Sequence, residues 1–262
     1  MYDWYEERTW VMLVLEYQRD WKDLYSYIDK KGMKEDKAHH LMLQLVRADQ
    51  HCLKHEVLHN DIHSQNIMVD ESGLHLKLTN FRMGRLVKST GYTSKPREGA
   101  KCCIPPEALT RLQYLAMPAT VWALGVVLYE MVHGFPPLQR LGVVRITGRN
   151  LTMNARDLIR RCLYMNPDQQ LTIDQILAHD WFKCIITQVP ATPAVANYLV
   201  PKGSESFNAE YEYKTSKDYF LGKGAYGRVY RGTRKADGKL VAIKRVRLHE
   251  KERCICYASH QN

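Results

Sequence analysis

The sequence predicts an α+β fold: a mainly helical body, then a linker, then a small antiparallel β-meander. Three observations carry this. Apolar residues recur at helical spacing through the first two thirds of the chain, and one sixteen-residue stretch there is apolar nearly all round. After Lys183 three prolines break every period. From Tyr213 onward, runs rich in β-branched and aromatic residues flank the turn Ala236–Asp237–Gly238.

"WVMLVLEY" (Trp10–Tyr17) is a short apolar run of the kind a buried strand needs. From Glu35, the residues Leu41, Met42, Leu45, Val46, Cys52 and Leu53 share one face and predict a helix of about four turns. That helix is expected to end near Lys54, with Val57–Leu58 forming a short strand. "LHLKLTNF" alternates Leu74, Leu76 and Leu78, as a half-buried strand does. Residues 88–106, polar and rich in Gly and Pro, read as a long loop. "ATVWALGVVLYEMVHG" (Ala119–Gly134) reads as a helix at the centre of a core. Asn154 is expected to cap the helix that begins "ARDLIRR", and Thr172 with Gln175 forms a capping box before "IDQIL". Residues 1–182 thus form the body, 183–212 the linker and 213–262 the meander. No internal repeat is present.

Composition narrows the function classes. Of the 262 residues, 45% are apolar and 25% charged, which fits an ordinary globular protein. The net charge of +10 favours acidic partners. Yet no run of five basic residues occurs, so no nucleic-acid stripe is expected. Seven cysteines with no C-x-x-C pair argue against a disulfide framework or a cysteine zinc site. No membrane span is expected, and "MYDWYEERTW" lacks the layout of a secretory signal. A reducing, cytoplasmic location is the expectation.

Two motifs handle phosphate. Gly222-Lys223-Gly224-Ala225-Tyr226-Gly227-Arg228-Val229 is G-x-G-x-x-G-x-V, and "VAIK" (Val241–Lys244) follows on the next strand. Such glycines let the backbone close over phosphates, and Lys244 offers them a point charge. Alone the glycines would also fit a dinucleotide turn, but that turn opens a helix and here a strand follows. The second motif is "HNDIHSQN", which fits H-R-D-x-x-x-x-N with His59, Asp61 and Asn66 in place. "NFR" (Asn80–Arg82) stands where D-F-G is expected, and "PPE" (Pro105–Glu107) where A-P-E is expected.

On these residues the chain resembles the eukaryotic protein kinases, and within them the Pim serine/threonine kinases. "VLHNDIHSQNIMVD", "LKLTNF", "CIPPEAL" and "VWALGVVLYEMVHG" all resemble Pim segments. The resemblance implies a protein-kinase-like fold, with a helical C-lobe and a small antiparallel β N-lobe. It also implies transfer of phosphate from ATP, with Mg²⁺, to a protein substrate. Asp61 would accept the substrate hydroxyl's proton, and His63 stands where a lysine meets the transferring phosphate. Asn66 and Asn80 would hold Mg²⁺. Leu221 to Val229, Ala242 and Lys244 would contact ATP, with Glu16 and Tyr17 at the adenine and Met68 as the pocket floor.

The order and several groups depart from the family. The glycine loop and Lys244 belong to the N-lobe, which should come first but here comes last. The order implies either a circular permutation or the joining of one gene's C-lobe to another's start. The third and fifth family strands pair, so a linker of about 30 residues, reaching up to roughly 100 Å, permits the permuted fold. Only eighteen residues follow Lys244, so the αC helix and its glutamate are expected to be missing. Asn80 replaces a Mg²⁺-binding carboxylate, and Arg82 replaces a glycine. Asn60 replaces an arginine, Ala100 a threonine, and Gln170 the arginine that would pair with Glu107. Ser64 and Gln65 replace acidic residues that attract Arg-rich peptides. The expected activity is weakened or lost, and a non-catalytic, protein-binding pseudokinase is the alternative. A remote alternative is a zinc hydrolase through His55-Glu56-x-x-His59, which requires both histidines one turn apart on a helix.

Overall fold

A computed structural model describes residues 1–7, 10–17, 19–86, 93–94, 103–110, 114–137, 146, 151–183, 207–224 and 227–247. The main elements are β1 (Asp3–Glu7), β2 (Trp10–Glu16), β3 (Trp21–Asp23), α1 (Glu35–Lys54), β4 (Ile67–Asp70), β5 (Leu76–Leu78) and α2 (Ala116–His133). They continue with α3 (Met153–Cys162), α4 (Ile173–Leu177), β6 (Tyr211–Tyr213), β7 (Phe220–Gly224), β8 (Gly227–Arg234) and β9 (Leu240–Arg247). The chain divides into two compact units, Met1–Arg19 with Ala191–Asn262, and Asp20–Pro190.

The first unit joins the two ends of the chain in one antiparallel sheet of order β1-β2-β9-β8-β6, with β7 also paired to β8. Strand β9 lies against β2 from Val241↔Glu16 to Arg247↔Trp10. Because side chains alternate along a strand, Tyr5, Met12, Val14, Val241 and Ile243 share one buried face. Phe207 and Tyr211 complete that core, with the rings of Tyr5 and Phe207 edge-on at 5.0 Å. Burying each of these two side chains is worth on the order of 1.5–3 kcal/mol. The stretch expected to be linker through residue 212 is therefore structured from Phe207, where a helix (Phe207–Glu210) begins. Its two aromatic residues have an apolar sheet face to cover. The turn at 236–238 forms as expected, with Gly238 at φ +70° and Asp237 accepting from the Arg234 guanidinium at 2.9 Å.

The second unit is helical. Helix α2 has fifteen of eighteen residues buried, and the α1 face from Ala38 to Val46 packs in the same core. Contrary to expectation, α2 reaches the length and apolarity of a membrane span, but its side chains are spent inside the core. It starts at Ala116, three residues earlier than predicted, since Pro118 is tolerated in a first turn. On α2, a Cβ at Gly125 would meet Cys162 Cβ at 2.7 Å, so the glycine admits α3 closely.

The predicted cap of α3 is corrected. Thr152, not Asn154, accepts from the Ala155 N–H at 3.2 Å. Thr152 itself donates to both carboxylate oxygens of Glu35, which fixes the helix start two residues earlier. The capping box of Thr172 and Gln175 is present. Leu74 lies outside β5 in an exposed turn, where Asp70 collects N–H donors from Leu74 and His75. Pro106, read as loop, opens a short helix (Pro106–Thr110), a position that needs no N–H. Most of the 88–106 loop and of the linker, and the chain beyond Arg247, lie outside the described residues.

Candidate active site

Helix α1 ends at Lys54, and Glu56 turns the chain at φ +60°. Val57–Leu58 then pairs with Arg85–Leu86, which delivers the loop 59–66 to the start of β4. Inside this loop His59 is fully buried. Its Nε2 donates to the Thr79 carbonyl at 2.9 Å, and Nδ1 accepts from the Asp61 N–H at 3.3 Å. Burial holds its pKa below the usual histidine value, so this ring is neutral and structural.

Asn66 is the hub of the loop. Its Nδ2 donates to the Asp61 carbonyl at 2.8 Å and to Asp61 Oδ2 at 3.0 Å. Its Oδ1 accepts from Asn80 Nδ2 at 2.9 Å, and its carbonyl accepts from the Thr79 N–H at 2.8 Å. Asn80 holds this place at φ +66°, a left-handed conformation that asparagine tolerates better than most residues. Arg82 needs no glycine-like backbone, because the left-handed turn falls on Asn80 and Arg82 lies in a 3₁₀ turn.

The Asp61 carboxylate is mostly buried, and His63 Nε2 stands 3.7 Å from its Oδ2. Burial opposes ionisation, but His63 and the Asn66 hydrogen bond outweigh it and hold Asp61 below the usual carboxylate range. Asp61 is therefore ionised at neutral pH, as a proton acceptor would have to be. It lines a small cleft with Asn60, Cys103, Pro105, Tyr114 and Thr120. Sequence reasoning missed Glu130, buried on α2, whose carboxyl burial pushes up while Ser64 and His63 draw it down. Its signal was a lone acid inside an apolar helix. Gln170 donates to the Tyr164 carbonyl at 2.9 Å.

The second unit thus brings Asp61, His63, Asn66 and Asn80 together, with Met68 half-buried on β4. The first unit gathers the other expected residues. Strands β7 and β8 form the glycine hairpin, with Gly222↔Val229, Lys223↔Arg228 and Gly224↔Gly227, while Leu221 sits at a bulge. A Cβ at Gly227 would meet the Arg245 carbonyl at 2.1 Å, so a glycine is needed there. Register and alternation put Val229, Ala242 and Lys244 on one face with Leu13 and Leu15. Glu16 ends β2, exposed, and Tyr17 follows. Ala225 and Tyr226, and Ala100, lie outside the described residues.

Two implied metal chemistries can be tested on these side chains. Asn66 Oδ1 accepts from the Asn80 amide, and the Asn66 amide nitrogen donates to Asp61 Oδ2. Mg²⁺ takes hard oxygen ligands and is usually held by one or two carboxylates. Two neutral amides, the oxygen of one already accepting from the nitrogen of the other, do not fit that ion. For zinc, His55 lies past the helix end with Nδ1 2.9 Å from the His51 carbonyl, and both nitrogens of His59 are engaged. Among the described residues no group of three His, Cys, Asp or Glu could hold a metal.

A loop that buries a histidine against the Thr79 carbonyl and holds an ionised aspartate through Asn66 fits a class of phosphate-transfer folds. The protein kinase domain family matches residues 1–182, and the chain belongs to that family. It is 33% identical over 187 residues to the serine/threonine-protein kinase pim-2 of Danio rerio, covering 69% of this chain and 60% of that one. Over 226 residues it is 26% identical to the serine/threonine-protein kinase prk-2 of Caenorhabditis elegans, covering 83% and 50%. A carbon catabolite-derepressing protein kinase of Candida glabrata is 28% identical over 222 residues, covering 79% and 34%. The chain spans between about a third and three fifths of these relatives' lengths.

Proposed function

We propose that the chain is a Pim-like serine/threonine kinase domain in permuted order, with phosphoryl transfer to protein hydroxyls strongly impaired. In this reading residues 1–182 hold the last N-lobe strand, the hinge and the C-lobe, and residues 213–262 supply the first N-lobe strands. Support for the order comes from β9 pairing with β2 within one chain. Asp61 accepts the substrate hydroxyl's proton, Asn66 orients that carboxylate, and His63 faces the transferred phosphate. The backbone from Leu221 to Val229 and the Lys244 ammonium hold ATP phosphates, Glu16 and Tyr17 its adenine, and Met68 and Ala242 its ring faces. A cytoplasmic protein is the intended partner.

The observation that carries impairment is the Asn66–Asn80 amide pair, which leaves proton acceptance intact and metal charge unsupported. It also favours the second reading, a pseudokinase that binds proteins without turnover. A nucleotide titration followed by a radiolabelled-ATP assay separates them. The impaired-kinase reading expects ATP binding that Mg²⁺ changes little, and slow transfer that Asp61→Ala abolishes. Transfer at ordinary kinase rates would sink the impaired reading. No transfer above the Asp61→Ala background would favour the pseudokinase.

A further inference from the structure

Like charges rarely stand directly opposite across antiparallel strands, because their Cβ atoms lie about 4.5–5.5 Å apart and repulsion destabilises the pair. The first unit breaks this rule twice in one row. Lys223 on β7 faces Arg228 on β8, and Arg228 faces Arg245 on β9. Arg247, two residues further along β9, projects from the same face. Lys223, Arg228 and Arg247 are exposed, and Arg245 rests its guanidinium 4.6 Å from the Trp10 ring centre. Among the described residues none of the four makes an ion pair. The nearest acidic position in the register is Glu7, beyond Trp10 on β1.

We propose that this row is a docking surface for an acidic peptide segment, and that its side chains lie on the sheet face opposite Lys244, so that Lys223 and Arg228 share with the nucleotide site only the backbone of the glycine hairpin. Separation follows from alternation: β9 sends Ala242 and Lys244 to one face, and Arg245 and Arg247 to the other. Three neighbouring strands span about 10 Å, and an extended peptide places same-side carboxylates about 7 Å apart, so two carboxylates fit across the row. Three of the four cations are arginines, whose planar forks match carboxylates in pairs. Phe220, 41% exposed and opposite Tyr230, adds an apolar contact on the same face. Single-stranded nucleic acid is disfavoured because it stacks successive bases on successive rings. Here Trp10 already carries Arg245, which leaves Phe220 as the one exposed ring of the row among the described residues.

The test is fluorescence anisotropy on the full chain. Its probe is a labelled nonapeptide with Glu at alternate positions, compared with its Gln counterpart and a labelled single-stranded oligonucleotide. The double variant Arg245→Glu/Arg247→Glu should weaken the Glu peptide by about tenfold or more, which is about 1.4 kcal/mol. Lys31→Glu/Lys54→Glu alters net charge equally but lies in the other unit, and should change binding less than about threefold. The thermal midpoint of the row variant should hold or rise, because a glutamate at 245 opposes Arg228 favourably. If that variant does not fold, Arg245→Gln/Arg247→Gln takes its place with the same direction expected. Equal weakening by both charge-matched pairs, unchanged binding by the row variant, or tighter binding of the oligonucleotide than of the peptide would each overturn the proposal.

Discussion

Asp49 sits on the apolar face of α1, where the helical period that runs through Leu45, Val46, Cys52 and Leu53 calls for a hydrophobe. Its side chain is fully buried, and neither oxygen has a hydrogen-bond partner among the described residues. Burial pushes its carboxyl from the ordinary 3.8 up to about 7. The sign follows from proton linkage: between those two values the folded state binds more protons than the unfolded one, so stability falls as pH rises. At 1.36 kcal/mol per tenfold, the penalty reaches about 4 kcal/mol above pH 7, and about 3 kcal/mol of it develops between pH 5 and pH 8. Cys52, pushed up to about 11 by burial and by Asp49, stays a thiol throughout. Asp49→Val removes the charge and places an apolar side chain in the apolar face. Urea unfolding of wild type and variant across pH 5 to 8 should show the variant more stable everywhere, with its advantage growing by about 3 kcal/mol toward pH 8. An advantage that does not change with pH would refute the reasoning, since a simple packing gain has no such slope.

Other outcomes follow from the same geometry. Unmodified protein should transfer phosphate about 10²–10⁴-fold more slowly than an intact kinase, because one charged metal ligand lost costs several kcal/mol of transition-state stabilisation; peptide phosphorylation rates measure this. Asn80→Asp with Arg82→Gly should raise that rate only partly and make nucleotide binding Mg²⁺-dependent, which calorimetry with and without chelator reads out. Glu56→Gly should stabilise the chain by about 1 kcal/mol, since a left-handed residue past a helix end favours glycine; the shift in thermal midpoint reports it. Thr152→Ala should cost about 1 kcal/mol or more, as it loses both the cap and the hydroxyl's bond to Glu35 Oε1 while keeping the backbone N–H bond to Glu35 Oε2.

Much of the helical unit was legible because its signals are local. The period of α1, the all-apolar run of α2 and the capping box at Thr172 each state their own structure over a few turns. The cap of α3 was not, because Thr152 is selected over Asn154 by Glu35, more than a hundred residues away. Phe207 and Tyr211 escaped for a related reason. In sequence they trail a proline-rich stretch, and only the sheet formed from both chain ends shows what they cover. Asp49 was visible as a polar residue in an apolar period, yet periodicity alone says nothing about whether a partner awaits it.

The phosphate-handling motifs were readable as residue types, but their state was not. The family resemblance implies that Asn66 and Asn80 stand where metal ligands belong; it does not say that they hydrogen-bond each other at 2.9 Å. That bond changes what substitution does. Replacing the Asn80 amide by a carboxylate removes the donor that Asn66 Oδ1 accepts from and sets two oxygens face to face. A cation between them would relieve this repulsion; otherwise the Asn66 amide must turn and release Asp61 Oδ2. The Asn80–Asn66 bond thus fixes the Asn66 amide, which in turn orients the Asp61 carboxylate without an ion. On the proposed reading, such a site keeps the part of the chemistry that needs a carboxylate in place and loses the part that needs charge brought to it.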